Sequence, residues 1–187
     1  MPSASYLFLT SPGPACTGWP ALLRTWLPVA VLLSLFCLES TTLMGADHTS
    51  GPLHALTHAV TGARVEGHWS MIHHLIRKTG HFFGYGVFSL ACLRSFLLAA
   101  HPRRDWRKLQ EAWGMQLAAV AATFVVAGLD ELHQSFLPNR TGKFSDVLLD
   151  TAGALALQMA LRLASCLVGM IEAQREICTE HAEIVAA

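Results

Sequence analysis

Apolar residues predominate in four stretches of this chain, at roughly 20–38, 76–99, 113–132 and 145–169. Each approaches the run of about 20 residues that a helix needs to cross the hydrocarbon of a bilayer. The third is the plainest, because AWGMQLAAVAATFVVAGL contains no ionisable group before the polar segment DELHQSFLPNRTGKFSD begins at Asp130. Between the first two spans lies a loop of roughly 35 to 40 residues, well above ordinary loop lengths. It contains GPLHALTHAVTGARVEGHWSMIHHL, which suits a short amphipathic helix at the membrane surface. Past Met170 the tail IEAQREICTEHAEIVAA is charged and is expected to carry the last helix into water. The pattern therefore predicts an all-α, polytopic membrane protein: a bundle of four transmembrane helices with a long extracytoplasmic first loop. The expected organisation is a flexible segment at 1–18, a membrane domain at 19–170 and a cytoplasmic tail at 171–187.

Composition strengthens this picture. Hydrophobic residues make up 52% of the chain and charged residues only 14%, with a mean hydropathy of +0.40, more apolar than soluble chains usually are. A net charge of zero and a pI near 7.1 provide no basic stripe for nucleic acid, so the expected partner is the lipid bilayer. Cysteines 16, 37, 92, 166 and 178 are odd in number and show no CxxC spacing, so they read as packing residues rather than a disulfide framework. The first span has no small-residue cleavage site after it, and Phe36 before Cys37 departs from a lipoprotein box; it is expected to remain as a membrane helix.

Charge sets the expected orientation, since basic residues near span ends are retained on the cytoplasmic side. The connection HPRRDWRK gathers Arg103, Arg104, Arg107 and Lys108, with Arg94 just before it. Both termini then fall in the cytoplasm, and the first and third loops fall outside, with Arg64, Arg77, Lys78, Arg140 and Lys143 as a smaller opposing set. Trp19, Trp26, Trp69, Trp106 and Trp113 fall near the span ends, as an aromatic belt would place them. Arg94 and Arg162 are expected to snorkel to headgroups.

Candidate chemistry gathers at the outer ends of three spans. In HHLIRKTGHFFGYG the residues Lys78, His81 and Tyr85 share one helical stripe, and Gly80 and Gly84 form a GxxxG on another face that would admit a neighbouring helix. Asp146, Asp150 and Gly153 share a face of the fourth span; Asp130 and Gln134 lie one turn apart on the third, with Glu131 about 100° away. An unpaired charge near the bilayer centre costs about 2.5–3.5 kcal/mol on insertion scales, so these acids need cations, protons, water or one another. Lys78, His81 and Arg140 are the cations expected at that depth, with Arg140 placed to bridge carboxylates through bidentate bonds.

The motifs RKTGHFFGYG, DELHQSFLPNR and SDVLLDTAG together resemble the VanZ-like family of small bacterial membrane proteins. The likeness covers roughly residues 26–165 and falls on Lys78, His81, Tyr85, Asp130, Glu131, Gln134, Phe136, Arg140, Asp146 and Gly153. Asp150 departs from it, standing where the family usually has Asn. The resemblance implies a protein of the bacterial cytoplasmic membrane with four helices, a cell-envelope role and a link to teicoplanin resistance, and it implies no particular reaction.

Three readings of the constellation are open at this point. In the first, Lys78, His81, Tyr85, Asp130, Glu131, Gln134, Arg140, Asp146 and Asp150 form a site for an amphiphilic envelope molecule: an envelope lipid, a wall precursor or a glycopeptide. Lys78 and Arg140 would then meet phosphate or carboxylate, and Phe82, Phe83 and Phe136 the hydrophobic parts. In the second, His81 or the Asp130/Glu131 pair does acid, base or nucleophile work on a lipid-linked phosphate or ester, with His133 in reach of the same layer. The chain lacks KxxxxxxRP, SRxxxxxHxxxD and HExxH. In the third, the groups are a polar lock between helices. His48, His54, His58, His68, His73 and His74 of the first loop, with Glu66, offer zinc-type donors but no second ligand pair at a convincing spacing, so neither a metal nor a cofactor is expected.

Overall fold

The computed structural model describes residues 18–41, 44–61, 66–100, 113–137 and 140–186. The segment 1–17, the basic residues 103–108, Arg64 and Cys16 lie outside these, and so do the orientation and packing readings attached to them. Among the described residues the chain is all α-helical. Its helices are α1 (Trp19–Glu39), α2 (Ala46–Thr61), α3 (Trp69–Ala100), α4 (Trp113–Ser135) and α5 (Phe144–Ala186), with a 3-10 turn at Glu66–His68 before α3. Of these α1, α3, α4 and α5 are long and apolar enough to cross a membrane, and α2 is the expected short helix of the first loop.

One element boundary differs from the sequence reading. Helix α3 starts at Trp69, a turn and more before the apolar run at 76, because WSMIHHL continues the helix through polar positions; His73 and His74 are therefore helical residues rather than loop residues. Helix α5 runs on past Met170 without a break, as expected of the tail.

The packing contacts fix the directions of the spans. Lys78 meets Asp146, Phe82 meets Gly153 and Ser89 meets Gln158, so α3 and α5 run parallel. Phe36 stacks on Tyr85 while Trp26 meets Phe96 edge-on, so α1 runs antiparallel to α3. On α4 the buried positions Gln116, Ala119, Thr123, Ala127, Glu131 and Gln134 follow the helical repeat and form a stripe facing α3 and α5, small at its centre and polar at both ends. Leucines such as Leu23, Leu117, Leu129, Leu155 and Leu163 point outward, as helices surrounded by lipid chains require.

Close approach of α3 and α5 depends on glycines other than the pair expected. A Cβ at Gly153 would overlap the Phe82 carbonyl oxygen, and one at Gly86 would stand 2.8 Å from Leu157. Gly80 faces open space, and Gly84 would gain only an ordinary contact with Phe36. The GxxxG spacing of Gly80 and Gly84 thus brings no helix into close backbone approach: Gly80 faces open space and Gly84 only borders the Phe36 ring of α1.

Two arginines also correct the sequence reading. Pro28 inside α1 has no N–H for the Arg24 carbonyl and crowds the preceding turn. Arg94 donates to the Arg24 and Thr25 carbonyl oxygens, each at 3.3 Å, and Ser95 Oγ to Thr25 at 2.7 Å. Donors from α3 thereby satisfy backbone that lipid could not. Arg162 lies over the Trp113 ring at 3.2 Å, a cation–π contact between α5 and α4. Neither side chain is spent on headgroups alone.

Replacing Gly153 with Leu should destabilise the protein by at least about 1–3 kcal/mol, the range for overpacking a tight contact, while Gly80→Leu should unfold in detergent at the wild-type temperature.

Candidate functional site

The residues singled out by sequence do gather at one end of the bundle, where α1 ends and α3 and α5 begin. They divide into two groups with different surroundings. The first is a chain of hydrogen bonds. Tyr85 on α3 donates to Asp130 Oδ2 on α4 at 3.0 Å, and Gln134 Nε2, one turn along α4, donates to the same oxygen at 3.0 Å. Arg140 Nη1 donates to Gln134 Oε1 at 3.3 Å, while its Nη2 donates to the Glu39 and Thr41 carbonyl oxygens at 2.9 and 2.8 Å. The Glu39 carbonyl is the last of α1, where helical backbone leaves acceptors unpaired and partial negative charge accumulates, and Thr41 follows two residues on. The chain therefore ties α3, α4 and the loop to α1. Ser40, hydrogen-bonded to His133 Nδ1 at 2.8 Å, adds a second tie at the same level.

Arg140 thus bridges no carboxylate, contrary to the sequence expectation, because the α1 carbonyls and Gln134 take its donors. Burial, reinforced by the nearby Arg77 charge, pushes its guanidinium below its ordinary pKa; a guanidinium stays cationic at neutral pH regardless. His133 is likewise turned to α1 rather than to a shared site.

The second group lines a cavity of about 470 Å³ between α3, α5 and the α4–α5 loop. Lys78 and Asp146 form an ion pair across its mouth from α3 to α5. One turn farther along both helices, His81 Nδ1 stands 3.6 Å from Asp150 Oδ2. This is close enough for attraction and too long for a hydrogen bond. Asp150 is 1% exposed, and neither of its carboxylate oxygens has a hydrogen-bond partner among the described residues. Glu131, in the buried stripe of α4, also reaches this cavity; its Oε2 accepts from the Lys143 backbone N–H at 2.8 Å. Gly142 makes that bond possible, because a Cβ there would overlap the Glu131 carbonyl oxygen and hold the loop off α4.

Gln134 and Arg140 touch the cavity as well as the tie, whereas Tyr85 and Asp130 do not line it. Helical spacing explains the division: Asp130 and Glu131 diverge by about 100°, so one faces α3 and the other the α5 side. Phe82, Phe83 and Phe136 are also absent from the lining, and Phe83 and Phe136 are exposed on the outside of the bundle, so the phenylalanines do not form the apolar half of this site. Leu149 is its one aliphatic wall residue.

The sequence reading missed Arg77, His74 and Lys143 as lining groups. Arg77 precedes Lys78 and projects about 100° from it, off the recognised stripe. Among the described residues its guanidinium makes no ion pair or hydrogen bond. Among the described residues no three metal-capable side chains cluster. His54 packs edge-on against Trp69 at 4.7 Å, and His73 stacks on the same ring and meets Thr49 at 3.2 Å. These loop-region histidines dock α2 on α3.

The VanZ/LLP1 family model matches residues 21–165, spanning all four candidate membrane helices and every residue of the cavity. The chain belongs to the VanZ-like family. No curated protein and no solved structure matches it. With its four membrane-crossing helices it is a VanZ-like multi-pass membrane protein. In this VanZ-like chain Asp150, at the position expected as Asn, sits where an amide could donate a hydrogen bond of its own. Here a carboxylate is left wanting donors.

Arg140→Ala should free the end of α1. Cysteines placed by Ser40→Cys and His133→Cys should cross-link efficiently in the otherwise wild-type protein and much more slowly when Arg140→Ala is added, as read by gel mobility.

Proposed function

We propose that this VanZ-like protein recognises an amphiphilic envelope molecule or glycopeptide through the polar cavity, in a resistance or envelope-homeostasis role. In this reading it lies in the bacterial cytoplasmic membrane with both termini in the cytoplasm, and the cavity opens at the outer leaflet. The observation that carries the reading is the mismatch between the two groups of polar residues. In the Tyr85–Asp130–Gln134–Arg140 chain every side chain has hydrogen-bond partners, with Arg140 Nε alone left without one, and the chain accounts for a structural tie. The cavity holds a buried Asp150 carboxylate that has no hydrogen-bond donor and only His81 beside it, at 3.6 Å, and a half-buried Arg77 that makes no hydrogen bond or ion pair among the described residues; such incompletely met charge is costly at membrane depth. Interhelical polar contacts in membranes average only about 0.6 kcal/mol, so incomplete pairing of this kind is poor economy for stability alone. A ligand that brings an anionic group and hydrogen-bond donors satisfies both.

The closeness of His81 to Asp150 favours one alternative, in which a histidine oriented by a carboxylate performs acid or base work on a lipid-linked phosphate or ester. The two readings separate on whether the bound molecule leaves unchanged.

In cells whose teicoplanin resistance depends on this protein, Lys78→Ala and Glu131→Gln should abolish resistance from within the cavity, and Asp130→Asn and Arg140→Ala through the tie. All four should remain at wild-type level in the membrane fraction. Full resistance in all four variants would reject the site. Incubating purified protein with lipid-linked wall precursors and teicoplanin, followed by mass spectrometry, should return bound, unchanged ligand; a new product would move the reading to catalysis.

A further inference from the structure

A second cavity of about 520 Å³ lies between α2 and the first turns of α3. Its walls are different in kind. Pro52, Leu53 and Leu56 come from α2 and Ile76 and Gly80 from α3, with Met44 at one end, and these outweigh the polar Glu39, His48 and Thr49, so the groove is mainly apolar. Gly80, which makes no helix contact, leaves room here rather than bringing a helix close. The groove and the polar cavity adjoin, because Arg77 and His81 line both.

We infer that the two cavities form one binding site for an anionic amphiphile with a single hydrocarbon chain, its chain in the α2–α3 groove and its headgroup in the polar cavity, with Arg77 at the junction. The inference rests on the headgroup reading of the polar cavity and adds to it the route of the chain. Three features select this occupant. The unpartnered guanidinium stands at the boundary between apolar and polar walls, the place where a phosphate or carboxylate joins chain to headgroup in an amphiphile. Beyond it, Asp150 calls for O–H or N–H groups farther along the headgroup, such as hydroxyls. On the other side, the stretch of wall formed by Leu53, Leu56 and Ile76 is hydrocarbon and suits a chain, while Glu39, His48 and Thr49 add polar groups elsewhere in the groove. The groove therefore does the work that Phe82, Phe83 and Phe136 do not. It also gives α2 a role, since that helix is docked at one end by Thr49, Ser50 and His54 against Trp69 and His73 and leaves the groove wall facing α3.

The test uses full-length protein in nanodiscs and two photoreactive forms of lysophosphatidylglycerol, one with a diazirine at mid-chain and one with it on the terminal glycerol. The chain probe should label Leu53, Leu56 or Ile76, and the headgroup probe Lys143, Ser145 or Leu149, each competed by unlabelled lysophosphatidylglycerol. Arg77→Gln should reduce both sets of adducts about tenfold, as loss of a charge-assisted contact predicts. Leu56→Trp, at an exposed position that the core does not use, should remove the chain adducts and spare those of the headgroup probe. Competed headgroup adducts in the polar cavity, with chain adducts confined to the lipid-facing sides of α1 and α4, would overturn the chain route and leave the headgroup reading standing. Absence of competed adducts in both cavities would overturn the two together.

Discussion

The pairing of Lys78 on α3 with Asp146 on α5 is the contact on which the arrangement of the polar end depends. Each side chain alone would carry a charge into a layer that solvates it poorly; together they become a link between two parallel helices. That link sets the register, which brings His81 beside Asp150 one turn farther on and Gly153 against the Phe82 backbone another turn beyond. A shift of one residue between the helices would put a Cβ where Gly153 is required and separate both charged pairs.

The second constraint is satisfaction of backbone carbonyls that α1 cannot pair within itself. Arg94 serves the Arg24 carbonyl that Pro28 leaves open, Ser95 serves the neighbouring Thr25 carbonyl, and Arg140 serves carbonyls at and just past the end of α1. In each case a side chain from elsewhere completes a helix that cannot complete itself. These ties account for many polar residues in a chain of this hydropathy, and they narrow the functional question to the residues that remain: Arg77, His81, Glu131, Lys143 and Asp150 around one cavity.

Much of the fold was legible because span length and apolar runs are set by the bilayer rather than by tertiary detail. The four spans, the surface helix between the first two and the continuation of the last were read from pattern. Shared stripes also foretold that Lys78 and His81 would stand at one level with the carboxylates of α4 and α5, though not that Lys78 would take Asp146 and His81 lie beside Asp150. What pattern could not show was which partner a multivalent group would choose. Arg140 was expected on carboxylates and goes to α1 carbonyls, an alternative invisible in sequence because every backbone carbonyl is alike there. Helix faces were equally ambiguous for Gly80, whose GxxxG spacing fits a helix contact but whose face borders a groove. Arg77 was overlooked because it lies off the stripe of Lys78 and counted only toward orientation.

The central claim is that the polar cavity is a binding site and not merely a gap between tied helices. Native mass spectrometry of the protein extracted from its own membrane into nanodiscs, without detergent, tests it directly. The account predicts a discrete adduct of one amphiphile per chain on the wild-type protein, absent from a folded Arg77→Gln, Lys143→Gln double variant. A wild-type spectrum showing only the bare chain, or an adduct that survives unchanged in the double variant, would contradict it.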